Sequence, residues 1–144
     1  MTDIFLSYER THRDTVLELK QKLEEKNYFC WLDVIQIPSN NYYFCPEIET
    51  GIQKSTVFVC CITNRYVQSN KCRQELSFAK QQNKPVILLL IEVLNWPPAQ
   101  IANLVSGLSY IEFYDTTSPA SSTTWPSEKF DELLNKLSKL APNI

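Results

Sequence analysis

The chain has 144 residues, 14 basic and 16 acidic side chains, one histidine, five cysteines and two glycines. That length suits one domain with a core of its own, and 44% hydrophobic with 21% charged residues is a globular rather than a disordered composition. A net charge of −2 excludes an electrostatic nucleic-acid footprint, and two isolated glycines, Gly51 and Gly107, exclude both the dinucleotide fingerprint and the P-loop.

In chain order, Asp3 to Tyr8 (DIFLSY) reads as a first strand. Thr11-His12-Arg13-Asp14 has the form of a capping box, opening a helix to about Lys26 with Val16, Leu19 and Leu23 on one face. Tyr28 to Leu32 (YFCWL) reads as a second strand, in which Trp31 is expected to pack in the core. A polar and aromatic stretch leads to a short helix opened by Pro46, with Ile48 and Ile52 on its inner face. Thr56 to Thr63 (TVFVCCIT) is a continuous apolar run, the pattern of a strand buried on both faces.

Asn70 to about Gln82 predicts a helix with Cys72, Leu76 and Ala79 on its buried stripe. Pro85 to Ile91 (PVILLLI) is the most hydrophobic strand and is expected to be central. Pro97 to Val105 reads as a weaker helix stopped by Gly107, and Leu108 to Phe113 as a fifth strand. A Ser/Thr/Pro-rich loop, Thr116 to Trp125, precedes a last helix carrying Phe130, Leu133, Leu134 and Leu137.

Five β-α units with doubly buried strands predict an α/β fold. The expected architecture is a flavodoxin-like three-layer sandwich, a five-stranded parallel sheet in the order 2-1-3-4-5 with helices on both faces. The whole chain, 1–144, is expected to form one domain. Ligands of such sheets bind beyond the carboxyl ends of the strands, at the switch point between strands 1 and 3. Tyr8-Glu9-Arg10, Thr63-Asn64-Arg65 and the helix after strand 3 are placed there by the sequence.

Glu75 is the carboxylate to watch. It borders the buried stripe of its helix, and a partly desolvated carboxylate at a cleft is a candidate for chemistry. The alternative is a solvated glutamate supporting its helix beside Lys71. Metal chemistry finds no ligand set: no C-x-x-C occurs among Cys30, Cys45, Cys60, Cys61 and Cys72, and His12 stands alone. The odd cysteine count and the lack of an N-terminal signal pattern predict a reducing, cytoplasmic setting. No apolar run is long enough to insert into a membrane.

Asp3-Ile4-Phe5-Leu6-Ser7-Tyr8 resembles the first box of the Toll/interleukin-1 receptor (TIR) domain. Ser69-Asn70-Lys71-Cys72-Arg73-Gln74-Glu75-Leu76 resembles that family's S-x-W-C-x-x-E-L segment, with Lys71 in place of the tryptophan. Ile37-Pro38 resembles its BB loop, although Ser39 follows where receptor members have glycine, and Thr56 to Val59 resembles its third strand. The receptor Phe-Trp box has no clear copy.

The resemblance implies one of two functions. The first is an NAD+ glycohydrolase that cleaves the nicotinamide–ribose bond, activated by self-association in immune or cell-death signalling. Glu75 would then be catalytic, Tyr8, Arg10, Asp33 and Ser69 would contact substrate, and NAD+ would be the substrate with no separate cofactor. The second is a non-enzymatic scaffold or adaptor acting through homotypic contacts. Both imply other TIR domains as partners, in homo- or hetero-oligomers, with Pro38, Tyr42, Tyr43 and Phe44 forming a BB-loop interface.

Overall fold

The computed structural model describes residues 2–32, 46–114 and 125–140. Five strands, β1 (Thr2–Ser7), β2 (Cys30–Leu32), β3 (Ser55–Ile62), β4 (Val86–Leu90) and β5 (Tyr110–Glu112), form one sheet in the order β2-β1-β3-β4-β5. Every neighbouring pair is parallel. The expected order is therefore the observed one.

Alternation along the strands builds two cores. Ile4, Leu6 and Tyr8 join Val57, Val59, Cys61, Ile87, Leu89, Ile111 and Phe113 on one face of the sheet. That face is covered by Val16, Leu19 and Leu23 of α1 (Arg13–Glu25) and by Leu133 and Leu137 of α6 (Ser127–Leu140). Phe5, Phe58, Cys60, Ile62, Leu88 and Leu90 point to the opposite face. There they meet Ile48 and Ile52 of α2 (Pro46–Lys54), Tyr66 and Val67 of α3 (Asn64–Gln68), Cys72, Leu76 and Ala79 of α4 (Asn70–Gln81) and Val105 of α5 (Ala102–Val105). With two covered faces, the strands must be apolar at nearly every position, which is the continuous pattern of β3 and β4.

On the second face an aromatic ladder crosses three strands. Trp31 stacks on Phe5 at 4.8 Å between ring centroids, and Phe5 on Phe58 at 5.3 Å. The parallel register places these three residues side by side. Trp31 is thus a packing residue, as its position within a strand predicts. Gly51 of α2 lies against its indole so closely that an added Cβ would sit 2.9 Å from the ring.

Three local expectations are corrected. The α1 terminus has no capping box: N-cap His12 makes no side-chain capping bond, and Glu9 instead accepts from the Thr11 backbone N–H to cap a 3-10 turn over Arg10–His12. An unexpected short helix, α3, follows β3, with Thr63 capping it through the Tyr66 backbone N–H. The helix expected from Pro97 contracts to α5, since Pro97 and Pro98 suit only its approach. β4, the most hydrophobic strand, is an interior strand as expected, paired with β3 on one side and β5 on the other.

Candidate functional site

The order of strands reverses between β1 and β3, and α4 packs over that point on the second face. Ser69 begins α4 as its N-cap, its hydroxyl accepting from the Cys72 backbone N–H at 3.3 Å. The Cys72 thiol donates to the Tyr8 carbonyl at 3.5 Å, which ties the first turn of α4 to the end of β1. One turn further along, this clamp brings Glu75 down onto the sheet.

Glu75 is 1% exposed. Its Oε1 accepts a hydrogen bond of 2.8 Å from the Ser7 hydroxyl, the last residue of β1. Ser7 Oγ stands in turn 2.8 Å from the Tyr66 hydroxyl on α3. Tyr66 OH also lies 3.5 Å from the Cys72 carbonyl and neighbours the Cys60 side chain. The Lys71 ammonium, one turn before Glu75, stands 4.0 Å from Oε2. Glu75 is therefore not a solvated surface carboxylate; it closes a buried polar network built from β1, β3, α3 and α4.

Burial keeps the thiols and the phenol of the network protonated. Burial pushes the Cys60 thiol and the Tyr66 phenol well above their usual ranges. Burial, and then the adjacent negative charge of Glu75, does the same to the Cys72 thiol. All three groups are neutral at neutral pH, and the donor that reaches the carboxylate is the Ser7 hydroxyl. A charge-assisted bond from Ser7 is the strong kind that makes a buried carboxylate tolerable.

A rim of polar contacts borders this point at the carboxyl ends of the strands. Glu92, just after β4, accepts from both the backbone N–H and the side-chain amide of Asn64 at 3.0 Å. Its other oxygen lies 3.5 Å from His12 Nε2. The turns after β1, β3 and β4 are thereby joined through one carboxylate. A shallow cleft of about 570 Å³ near Lys54, Ser55, Asn83 and Lys84 lies at the other end of the sheet, at the amino ends of β3 and β4, where open α/β sheets do not hold ligands.

The site residues expected from the sequence separate into groups. Glu75 and Ser69 lie on the same helix at the switch point, with Ser69 occupied as its cap. Arg10 is exposed in the 3-10 turn after β1. Tyr8 contributes its carbonyl to this side, but its ring is buried in the other core, beneath α1 and α6. Asp33, Pro38, Tyr42, Tyr43 and Phe44 lie outside the described residues. Sequence reading passed over Ser7 and Tyr66. The signal for Ser7 was available in its parity: it shares the Phe5 face of β1, whereas Tyr8 shares that of Ile4 and Leu6.

A TIR-domain family model matches residues 4–134, nearly the whole chain. The chain belongs to the TIR domain family. Among solved structures, it resembles the TIR domain of the Toll-related receptor TRR-2 from Hydra magnipapillata, with a TM-score of 0.72 and 15% identity over 95% of this chain and 98% of that one. It also resembles the TIR domains of the activated Roq1 resistosome, a structure described as directly recognising the pathogen effector XopQ, with a TM-score of 0.52 and 19% identity over 98% of this chain and 84% of that one. At these identities the likeness is one of fold. No curated protein sequence matches the chain. Among the described residues of this TIR domain, no helix is long and apolar enough to cross a membrane, and no cluster of side chains is arranged to hold a metal ion.

Proposed function

We propose that this TIR domain is an NAD+ glycohydrolase in which Glu75 is the catalytic carboxylate. The observation that carries the reading is a glutamate 1% exposed at the β1/β3 switch point, oriented by a hydroxyl at 2.8 Å. Folds seldom bury a carboxylate, because removing its charge from water costs several kcal/mol even after relaxation. Sites that do so are enriched in function.

The chemistry asks little beyond this group. The nicotinamide–ribose bond breaks with its electron pair moving to the pyridinium nitrogen, so nicotinamide leaves neutral and requires no acid. The ribosyl carbon gains oxocarbenium character, which a nearby carboxylate stabilises electrostatically while orienting the ribose hydroxyls. Water then adds to that carbon and releases a proton, giving ADP-ribose. Arg10, exposed on the same edge, suits the pyrophosphate; Ser69 and Asp33 complete the proposed substrate contacts.

Burial of Glu75 also supports control by assembly. The single chain covers its carboxylate, so turnover requires that the cover be displaced, and self-association through the BB-loop segment around Pro38, Tyr42, Tyr43 and Phe44 provides the work. Signalling in immunity or cell death by such an assembly is the corresponding biological role, in the cytoplasm, with NAD+ and other TIR domains as partners.

The same burial favours a second reading, in which Glu75 is a structural link and the domain acts as a scaffold. Turnover of NAD+ measured across a range of protein concentrations decides between them. The enzyme releases nicotinamide with a rate per chain that rises with concentration, and Glu75→Ala abolishes it while assembly persists. In the scaffold, NAD+ is unchanged under assembling conditions and Pro38→His alone disrupts function by blocking association.

A further inference from the structure

We propose that Ser7 and Tyr66 are positioning residues for Glu75, a two-hydroxyl relay that fixes its carboxylate and holds it as a hydrogen-bond acceptor. The inference rests on the catalytic reading of Glu75 and extends it to two side chains on other elements. Proton counting sets the direction of the relay. Ser7 has one hydroxyl proton, and its 2.8 Å contact with Oε1 uses it on the carboxylate. The 2.8 Å contact between Ser7 and Tyr66 must then run from Tyr66 to Ser7. The Cys60 thiol, on the strand beside Ser7, neighbours the Tyr66 hydroxyl behind it. The chain of donors thus runs Tyr66, Ser7, and ends on Glu75.

The relay has an acceptor in reserve. Tyr66 OH also faces the Cys72 carbonyl at 3.5 Å, on the first turn of the helix that carries Glu75. If Glu75 takes up a proton, Ser7 accepts rather than donates, and Tyr66 must turn to the longer and weaker contact. The relay therefore favours the ionised carboxylate, the form that stabilises a developing positive charge. Among the described residues, the groups facing Glu75 include Ser7 on β1, Cys60 on β3, Tyr66 on α3, and Lys71 and Cys72 on its own helix. Of these the two thiols and the phenol remain protonated across the neutral range.

The test uses Ser7→Ala, Tyr66→Phe and, as the conservative rescue, Ser7→Thr, each first shown by thermal melting to be folded. On assembled protein, Ser7→Ala should lower kcat by about tenfold to a hundredfold with KM nearly unchanged, since a misplaced group is lost mainly in the transition state. The acid limb of its pH–rate profile should move up by about one pH unit, the change expected when one charge-assisted hydrogen bond to the carboxylate is removed. Tyr66→Phe should move both in the same direction by less, and Ser7→Thr should restore them. An NMR titration of the 13C-labelled Glu75 carboxyl in the same variants follows the shift without turnover. It separates the two proposals: absence of NAD+ cleavage by the wild-type chain sinks the enzyme reading, while the titration still decides the relay. A Glu75 midpoint that stays in place in Ser7→Ala overturns the relay, as does a loss confined to melting temperature and KM.

Discussion

Replacing Gly51 by alanine tests the packing that supports the site from beneath. The new Cβ would lie 2.9 Å from Trp31 Cδ2 and Cε2 and 3.2 Å from Cζ2, all atoms of a rigid ring. Ordinary carbon contacts are about 3.5–4.0 Å, so the indole must retreat by roughly half an ångström or more. It has little room to do so, because it is also stacked on Phe5, and Phe5 on Phe58. Overpacking of this kind costs about 1–3 kcal/mol, while exchanging glycine for alanine inside a helix returns about 1 kcal/mol. The expected net loss is about 1 kcal/mol, or a fall in Tm of about 3 °C for a domain of this size. Urea and thermal unfolding of Gly51→Ala, alone and with Trp31→Phe, measure it as a double-mutant cycle. In the Trp31→Phe background, where a smaller ring faces the helix, Gly51→Ala should become stabilising. If the single variant is itself stabilised by the full helix-propensity gain, the close approach of α2 to Trp31 is refuted.

Further predictions concern the thiols and the rim. Burial pushes Cys30 and Cys61 up to about 12 from an ordinary 9.0. Below pH 9 folded and unfolded chains hold the same thiol protons; between about 9 and 12 only the unfolded chain releases them. Stability should therefore fall with rising pH by about 1.4 kcal/mol per pH unit for each thiol. Urea unfolding from pH 8 to 11 should show a shallower slope in Cys61→Ala than in the wild type, and equal slopes would contradict the assignment. Iodoacetamide at pH 8 should leave Cys30, Cys60, Cys61 and Cys72 largely unmodified in the folded chain and label them readily in urea, as peptide mapping would show; rapid native labelling of Cys60 or Cys72 would break the buried network. Glu92→Ala removes the acceptor that joins Asn64 to His12 and should cost about 1 kcal/mol, read by denaturant titration.

The parts of the fold that local chemistry controls were legible in the sequence. Apolar runs marked the strands, helical spacing put Cys72, Leu76 and Ala79 on one stripe, and Pro46 opened α2. The errors fell where two local signals competed. Thr11 and Asp14 imitate a capping box, but Glu9 reaches the Thr11 N–H first and a 3-10 turn precedes the helix. Five residues, Asn64–Gln68, are too few to show a helical period before Ser69 starts the next helix. Glu75 was visible as a carboxylate bordering a buried stripe, but its partners were not. Ser7 and Tyr66 lie 68 and 9 residues away in sequence, and only the β1-β3 pairing with α4 laid across it brings them together. Side-chain parity on β1 separates Ser7 from Tyr8, which is why a motif read as a block assigned Tyr8 to the site and passed over its neighbour.

The central claim is that Glu75 is buried for chemistry. The most direct measurement is nicotinamide release from NAD+ by the wild-type chain and by Glu75→Gln, at protein concentrations where both assemble to the same extent. Glutamine preserves the volume and an acceptor for Ser7 while removing the charge, so the variant should remain folded and assembled. The account predicts turnover by the wild type that is lost in Glu75→Gln by at least about a hundredfold, the scale of an electrostatic contribution to the transition state. Equal release by both proteins, or none from the assembled wild type, would contradict it.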